Sequence, residues 1–157
     1  MADLIVDRAT PDDLDALVSL VAQLFREDAG RRDPTSNVDW PATDEARQYY
    51  ADLVADPGSL VAVARDGGET VGYLVGKLRE PDAGRPVRFA ILESMLVSQA
   101  ARNRGVGSRL VDAFFAWARE RAAERASVSA FVSNKDAQRF YARAGFTGQT
   151  LTMWAQV

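Results

Sequence analysis

The spacing of apolar residues in the first third of the chain predicts two helices. Leucines and valines recur every three to four positions from Leu14 to Phe25, which is the period of a helix with one buried face. The segment TPDD at residues 10–13 is typical of a helix start, with a threonine cap, an early proline and acids in the first turn. Residues 30–41 are polar and predict a loop, and residues 44–53 predict the second helix.

Short apolar runs in the middle of the chain predict strands. Leu60 to Ala64 and Thr70 to Leu78 are separated by the sequence DGG at residues 66–68, which is typical of the turn in a β-hairpin. Phe89 to Val97 is almost continuously apolar, which predicts a central strand buried on both faces. Three strands in a row are therefore expected here.

The last third of the chain contains segments with the apolar spacing of helices and segments typical of strands. Val106 to Arg121 predicts a helix, residues 128–132 a strand, residues 137–144 a short helix and residues 147–155 a final strand. The full order is strand, helix, helix, three strands, helix, strand, helix, strand. This order predicts an α/β fold with one mixed sheet and helices on both faces. No repeat or linker divides the chain, so we expect a single domain over residues 1–157.

The composition is typical of a soluble globular protein, with 47% hydrophobic and 26% charged residues. No apolar stretch reaches the length of a membrane span, and the first ten residues lack the pattern of a secretory signal, so no membrane partner is expected. Cysteine is absent, which excludes thiol chemistry and makes the cytoplasm the expected location. The net charge of −3 argues against a nucleic-acid partner, because such proteins usually carry a basic face.

Histidine is absent too, and this restricts the possible chemistry further. A Ser-His-Asp triad and the H-E-x-x-H zinc motif are both excluded. Without cysteine or histidine, no metal site is expected. Any catalysis must therefore use carboxylates, tyrosine, serine, lysine or water.

A glycine-rich junction between the apolar strand and the next helix predicts an anion-binding site. Residues 102–107 have the sequence RNRGVG, in which the glycines expose backbone N–H groups at the positive end of a helix and the arginines add charge. A P-loop is a poor fit because no lysine follows, and a dinucleotide fingerprint lacks its third glycine. Taken alone, the junction also fits an ordinary connecting turn.

A second motif favours the anion site over the turn. Residues 134–146 have the sequence NKDAQRFYARAGF. Together the two motifs resemble the GNAT superfamily of acyl-CoA-dependent N-acetyltransferases. The family loop pattern, Q/R-x-x-G-x-G/A, is matched by Arg102, Gly105 and Gly107. The later family pattern, N-x-x-A-x-x-F-Y-x-x-x-G-F, is matched at every defined position of residues 134–146.

The resemblance implies a GNAT fold, in which a mostly antiparallel sheet has two central strands that splay apart and admit the pantetheine arm of acetyl-CoA. It also implies that the loop backbone grips the cofactor's pyrophosphate. These loop residues are Arg102, Asn103, Arg104, Gly105, Val106, Gly107 and Ser108. The chain departs from the family at Gln99, where proline is frequent, and at Asn103, where glycine is frequent. Asparagine tolerates a left-handed backbone better than most residues, so we expect the loop to keep its shape.

The same resemblance assigns three further residues to the cofactor. The backbone N–H and C=O groups of Leu96 and Val97 would bond the pantetheine amides as an added strand would, while their side chains lie in the core. Asn134 would bond the cofactor arm. An asparagine at this position also suits a helix cap, and the two roles are compatible.

Two residues are expected to carry the chemistry. Tyr141 matches the family tyrosine that protonates the departing thiolate; alternatively, its ring only packs the helix against the sheet. Glu93 interrupts the apolar run of residues 89–97, where a carboxylate must reach a cleft, a partner or water. Burial would make it a stronger base for the attacking amine, acting directly or through water. Alternatively, Glu93 is a structural acid paired with an arginine such as Arg88.

The expected reaction moves an acetyl group from acetyl-CoA to the primary amine of a small molecule, by direct attack in a ternary complex. A protein N-terminus or lysine is an alternative acceptor, a non-catalytic acyl-CoA-binding domain is an alternative of another class, and an NAD-binding domain is a third. Homodimers are common in the family, so a homodimer is expected. The family builds its acceptor site from the first two helices, their loop and the late strands. Candidate acceptor residues are Arg26, Glu27, Asp28, Asp39, Trp40, Tyr49, Tyr50 and Trp154.

Overall fold

Five strands form one sheet in the computed structural model, which describes residues 3–157. In chain order they are β1 (Leu4–Arg8), β2 (Leu60–Asp66), β3 (Glu69–Arg79), β4 (Phe89–Val97) and β5 (Arg125–Val128). The strands lie in the sheet in this same order. Their first three pairings are antiparallel, and β4 pairs with β5 in parallel. This is the mixed, mostly antiparallel sheet that the GNAT resemblance implies.

Helices occupy most of the remaining predicted positions. They are α1 (Leu14–Leu24), α2 (Gly30–Arg32), α3 (Asp44–Ala55), α4 (Val106–Glu120) and α5 (Lys135–Arg143). A π-helical turn at Phe25–Ala29 joins α1 to α2, so the loop predicted from residue 30 begins about one turn later. The Thr10 N–H donates to Asp13 Oδ2 at 2.8 Å, which confirms a capped start before α1. No helix within residues 3–157 combines the length and the apolar content that crossing a membrane requires.

The sheet carries a hydrophobic core on each face. On one face, α1 and α3 cover inward side chains such as Val61 and Val63 of β2. On the other face, α4 covers Ala62 of the same strand together with Leu74. Successive side chains of a strand point to opposite faces, so neighbours in the sequence enter different cores. The central strands are therefore apolar along almost their whole length, and helices lie on both faces as expected.

The strands β4 and β5 pair only along the first half of β4. Their register runs from Phe89 opposite Arg125 to Leu92 opposite Val128 and ends there. By contrast, β4 stays paired with β3 as far as Val97. The β4 backbone after Leu92 therefore has a free edge on the side of β5. This divergence is the splay of central strands that the resemblance implies.

Two strand predictions near the C-terminal end need correction. The strand expected at residues 128–132 lies at Arg125–Val128, because that segment is the one that runs beside β4. The strand expected at residues 147–155 is wrong, since residues 147–157 are irregular and exposed. A strand forms only where a neighbouring strand accepts and donates its backbone hydrogen bonds. Within residues 3–157, no backbone hydrogen bond reaches this segment.

Candidate active site

The loop before α4 presents a row of unbonded backbone N–H groups. After Arg102, the first amide that donates within the chain belongs to Arg109, which bonds Gly105 O at 3.2 Å. In the described part of the chain, the amides of residues 103–108 make no hydrogen bond of ordinary length and angle. The first N–H groups of a helix lack intrahelical partners and lie at the positive end of the helix dipole. The loop is therefore a cradle suited to a phosphate or diphosphate.

Conformation and packing within the chain explain three residues of this loop. Gly105 has a φ of +81° just before α4, a backbone conformation that a residue with a Cβ adopts at a cost. Asn103 has a φ of +59°, so it keeps the left-handed backbone, as expected. A Cβ on Gly107 would lie 3.2 Å from the ring of Phe140. Gly107 therefore lets α5 pack closely on α4, and a further role in admitting the cofactor stays a prediction.

Carboxylates of the chain pair with the arginine side chains of the loop. Arg102 Nε donates to Val97 O at 2.9 Å, and its guanidinium pairs with Glu27. Arg104 pairs with Asp66 at 3.0 Å. The positive charge expected to attract a phosphate is thus compensated within the protein. An anion at this loop would therefore meet open amides rather than unpaired guanidinium groups.

The free edge of β4 ends immediately before this loop. The side chain of Leu96 is buried in the core beneath α1, and that of Val97 packs against the core beneath α4. The Ser98 N–H bonds Val71 O at 2.8 Å, and the backbone groups of successive residues point to opposite edges of a strand, so those of Leu96 face β3 and those of Val97 face the gap. Of the two residues, Val97 is therefore the one whose backbone could bond a ligand in the gap. The Val97 carbonyl already accepts from Arg102, which leaves its second lone pair for another donor.

Glu93 lies on a β-bulge of β4. Val75 of β3 pairs with Ser94, and Gly76 pairs with Leu92, so Glu93 is the extra residue between them. A bulge bends its strand and redirects the side chain at that point. The divergence of β4 from β5 begins at the same residue. The Glu93 carboxylate therefore lies where the pairing of β4 with β5 ends.

A hydroxyl and an ammonium group hold the Glu93 carboxylate. The Tyr49 hydroxyl lies 2.9 and 3.0 Å from its two oxygens, and Lys77 Nζ lies 2.9 Å from Oε1. The pairing with Arg88 that sequence reasoning offered is wrong, because Arg88 pairs with Glu80. The expected burial is wrong too, since 33% of the Glu93 side chain is exposed.

The neighbours of Tyr49 and Lys77 determine their protonation. Burial raises the pKa of Tyr49, and the Glu93 carboxylate adds to this increase while Lys77 opposes it. Burial acts to lower the pKa of Lys77, but hydrogen bonds to Tyr49 and Glu93 outweigh it and raise that pKa. Near neutral pH, a neutral phenol and an ammonium cation therefore flank the carboxylate. Sequence reasoning missed Lys77. Like Glu93, it is a single charged residue within an apolar strand, and the same argument applies to it.

Tyr141 lies half-buried among aromatic rings. Its ring meets those of Phe140 and Phe146 edge-on, with centroids 5.3 and 5.8 Å apart. Burial raises the pKa of Tyr141 to about 12, and the charge of Asp28 adds to this. The residue thus has the packing role named as its alternative. It also stays protonated near neutral pH, which an acid role requires.

Tyr73 connects the surroundings of Glu93 and Tyr141. Its hydroxyl is buried in the middle of the sheet and donates to Ser94 Oγ at 3.3 Å. Burial raises the pKa of Tyr73, and the charges that Tyr50, Glu93 and Tyr141 carry when ionised add to the increase. Both residues expected to carry the chemistry therefore lie near the same hydroxyl.

Asn134 caps α5 and also binds the π-helical turn. Its side chain accepts from the Ala137 N–H at 3.1 Å and donates from Nδ2 to Asp28 Oδ1 at 3.0 Å. The same Asp28 oxygen accepts from Arg32 at 2.8 Å. The cap role is confirmed, and the bond to a cofactor arm stays a prediction. Sequence reasoning missed the contact with Asp28, which stands 106 positions earlier in the chain.

Some of the candidate acceptor residues gather beside Glu93, and others do not. Phe25, Trp40, Tyr49 and Tyr50 form a continuous aromatic group, with neighbouring ring centroids 5.1 to 6.2 Å apart. Tyr49 connects this group to the Glu93 carboxylate. Trp154 is 66% exposed and makes no ring contact within residues 3–157. An acid beside aromatic rings suits a cationic ligand.

The family model of the acetyltransferase (GNAT) family matches residues 19–146 of the chain. The protein therefore belongs to the GNAT family of acetyltransferases. It is an acyltransferase, and its family uses acyl-CoA as the donor. Among curated proteins, no sequence matches this one.

Solved structures share the fold over almost their whole length. The tetramutant of the BH1408 protein from Bacillus halodurans has a TM-score of 0.86 and 20% identity, covering 98% of this chain and 99% of that chain. AAC(6')-Iy in complex with a CoA bisubstrate analogue has a TM-score of 0.77 and 16% identity, with coverage of 99% and 98%. Ribosomal-protein-alanine N-acetyltransferase from Brucella melitensis has a TM-score of 0.70 and 16% identity, with coverage of 99% and 100%. These likenesses establish the fold.

Proposed function

We propose that the protein transfers the acetyl group of acetyl-CoA to the primary amine of a small molecule. One observation carries this proposal. The open amides of residues 103–108 lie directly beyond the free edge of β4, where β4 and β5 diverge. A diphosphate and an extended amide-bearing arm are joined in CoA in this same order. The residues present therefore fit a CoA thioester, with the loop amides on the diphosphate and the backbone of Val97 on the arm.

The chain's own groups supply the two proton transfers that the reaction needs. The amine nitrogen attacks the thioester carbonyl, a C–N bond forms and the C–S bond breaks. Glu93 takes a proton from the substrate's ammonium group, directly or through water, and this frees the nitrogen lone pair for attack. The nitrogen loses its second proton to solvent as the C–S bond breaks. Tyr141, held protonated by burial, gives its proton to the departing thiolate. The absence of cysteine and histidine supports direct attack in a ternary complex rather than an acyl-enzyme.

The surroundings of Glu93 support an amine as the acceptor. The aromatic group of Trp40 and Tyr49 stands beside the carboxylate, and Asp28 lies within electrostatic reach of Tyr141. Among structures with this fold, AAC(6')-Iy is bound to an acetylneamine analogue, which also favours a small amine. A protein N-terminus is the second candidate, favoured by the likeness to a ribosomal-protein-alanine N-acetyltransferase.

The proposal extends to the organisation of the protein. Residues 1–157 form one N-acetyltransferase domain, which is supported by two cores that share one sheet. A cytoplasmic location fits a chain without cysteine. A homodimer is supported by the exposed apolar side chains at the C-terminal end.

Thiol release from acetyl-CoA in the presence of small amines and of N-terminal peptides tests the proposed reaction. We expect turnover with a small amine, and a higher melting temperature with acetyl-CoA or CoA but not with NAD. Tyr141→Phe should keep that thermal shift and lose about a hundredfold in kcat. Unchanged kcat in Tyr141→Phe would refute the acid role. Thermal stabilisation by CoA without turnover of any amine would support a non-catalytic acyl-CoA-binding domain instead.

A further inference from the structure

Two basic side chains follow one another along β3 beside the Glu93 carboxylate. Lys77 and Arg79 stand two positions apart, so their side chains point to the same face of the sheet, about 6.8 Å apart along the strand. On that face, Lys77 Nζ lies 2.9 Å from Glu93 Oε1. β2 begins at Leu60 opposite Gly76, so this end of β3 extends beyond its neighbour. Both basic residues are partly exposed there, at the margin of the sheet.

The guanidinium of Arg79 has two donors without an acceptor. Its Nε and Nη2 atoms are buried, and neither makes a hydrogen bond within residues 3–157. The Arg79 Cζ atom lies 4.8 Å from the centre of the Phe89 ring, a contact that gives these N–H groups no lone pair. A buried charged donor that lacks an acceptor destabilises the folded protein. Nε and Nη2 together form an edge that can hold a carboxylate through two parallel hydrogen bonds, so this edge has the geometry for a carboxylate ligand.

Lys77 keeps a third donor that its contacts with the chain do not use. An ammonium group carries three N–H groups. One is directed to Glu93 Oε1 at 2.9 Å and one to the Tyr49 hydroxyl at 2.5 Å. Within the described residues, Nζ has no further hydrogen-bond or ion-pair partner, and 33% of the side chain is exposed. The third N–H can therefore donate to a ligand bound on this face.

The charges on this face favour an acceptor that carries an anionic group. Lys77 compensates the charge of Glu93, so the pair attracts a simple ammonium ion only weakly. Arg79 adds a positive charge that no carboxylate of residues 3–157 pairs with. A second ammonium group on the acceptor would be repelled here, whereas a carboxylate would be attracted.

We propose that the acceptor is an amino acid, which places its amine beside Glu93 and its carboxylate on Arg79 and Lys77. This inference rests on the proposed acetyl transfer and names the substrate class of the same site. The carboxylate accepts from Nε and Nη2 of Arg79 and from the third N–H of Lys77. Arg79 is partly exposed, so a change of rotamer opens this edge to a ligand without moving β3. The separation of the two basic residues favours a chain of a few carbons between amine and carboxylate, as in 4-aminobutyrate.

Acceptors with the same carbon chain test this proposal in thiol-release assays with acetyl-CoA. They are 4-aminobutyrate, 4-aminobutanamide and 1,4-diaminobutane, which carry a carboxylate, a neutral carboxamide and a second ammonium group. We expect kcat/KM to be about tenfold higher for 4-aminobutyrate than for the amide, and lowest for the diamine, because only the carboxylate is attracted to Arg79. A wild-type protein that prefers the amide or the diamine, or that does not distinguish the acceptors, would overturn the proposal.

Substitution of Arg79 tests the residue that the proposal depends on. Arg79→Gln should abolish the preference for 4-aminobutyrate over 4-aminobutanamide, chiefly through a higher KM for 4-aminobutyrate. Arg85→Gln is the matched control, since Arg85 lies over the same Phe89 ring, 5.6 Å from its centre, but is exposed on the turn after β3. It removes the same charge and should keep the preference. A preference that persists in Arg79→Gln contradicts the proposal.

A conservative variant covers the case in which Arg79→Gln does not fold. Arg79→Lys keeps the positive charge but loses the pair of parallel N–H donors, so it should show a preference between those of the wild-type protein and Arg79→Gln. A preference equal to that of the wild-type protein would show that the guanidinium edge does not hold the carboxylate.

Calorimetric binding to the protein saturated with CoA separates this proposal from the proposed reaction. If no amine releases thiol, the proposed acetyl transfer fails. Tighter binding of 4-aminobutyrate than of 4-aminobutanamide, lost in Arg79→Gln, would still support the carboxylate site. Turnover of amines without a preference for the carboxylate would overturn the amino-acid acceptor and leave acetyl transfer in place. Absence of 4-aminobutyrate binding would also overturn it.

Discussion

The guanidinium of Arg102 pairs with the carboxylate of Glu27, which stands 75 positions earlier in the chain, on the π-helical turn. The same arginine holds Val97 O at the end of β4. Arg102 thus fixes the start of the loop to two other elements. Its match to the family pattern is explained by this position, even though its charge is already compensated.

Removing either partner of this pair should weaken cofactor binding to a similar extent. We expect Arg102→Ala and Glu27→Gln each to raise KM for acetyl-CoA about fivefold, or about 1 kcal/mol, because each releases the loop. The double variant should be no worse than either single variant, since the two side chains act as one unit. Steady-state kinetics with Arg104→Ala as the control for loss of charge would measure this. If Arg102→Ala raises KM and Glu27→Gln does not, the Arg102 guanidinium would instead bind a phosphate of the cofactor directly.

The hydroxyl of Tyr49 should matter for the reaction, and that of its neighbour should not. Tyr49→Phe removes the hydrogen bonds to Glu93 and Lys77 that orient the carboxylate, so we expect kcat/KM to fall about tenfold, or about 1.4 kcal/mol. Tyr50→Phe is the matched control, because the Tyr50 hydroxyl makes no hydrogen bond within residues 3–157. If both variants have the same kcat/KM, the orientation of Glu93 does not contribute to the reaction.

The contact between Gly107 and Phe140 should couple the two helices energetically. Gly107→Ala places a methyl group 3.2 Å from the Phe140 ring, and overpacking of this kind costs about 1–3 kcal/mol. This cost exceeds the gain of about 0.5–1 kcal/mol that alanine gives over glycine in a helix, so we expect the free energy of unfolding to fall. Phe140→Leu removes the ring atoms that the methyl group meets. We expect the double variant to be more stable than the sum of the two single effects, as measured by urea unfolding. Gly148→Ala, with no atom near its Cβ, is the control. Additive effects would contradict the contact.

The acid sensitivity of the fold should depend on Asp13. Burial acts to raise the pKa of Asp13, but the Thr10 N–H and Arg65 outweigh it and lower that pKa. A carboxyl with a lowered folded pKa stabilises the protein above its unfolded pKa of about 3.9, and this stability is lost as pH falls through the folded value. Asp13→Asn should therefore be less stable at pH 7 by about 1–2 kcal/mol.

The difference between the wild-type protein and Asp13→Asn should begin to narrow below about pH 4, where the unfolded carboxyl takes up a proton, and should close as pH falls through the lower pKa of the folded carboxyl. Urea unfolding at pH 7 and pH 3 measures both values. Asp12→Asn is the control, since Asp12 is exposed and follows the same threonine. A difference that stays constant between the two pH values would mean that the charge of Asp13 does not contribute.

The spacing of apolar residues predicted those helices and strands that are buried on one face or on both faces. The strand Phe89–Val97 and the hairpin turn at residues 66–68 lie where the sequence places them. The π-helical turn has no such signal, because its residues also fit an α-helix. The segment at residues 147–155 has the period of a strand, but a period cannot reveal whether a partner strand is present in the same molecule.

The site was predictable only as far as its motifs extend. The left-handed backbone at Asn103 and Gly105 follows from residue type. The bulge at Glu93 does not, because it arises from a shift in register against β3. Lys77 and Asp28 meet their partners through the fold, across sequence separations that no local motif spans. Sequence reasoning therefore described the loop of residues 102–108 more completely than the surroundings of Glu93.

The open amides of residues 103–108 already have fixed positions in the folded chain. Left-handed residues and the start of α4 already hold the loop in shape. Conformational entropy is therefore lost once, when the protein folds, and not again at each binding event. A ligand bound at this loop would meet preorganised donors, so we expect its on-rate to be limited by diffusion and orientation rather than by rearrangement of the loop.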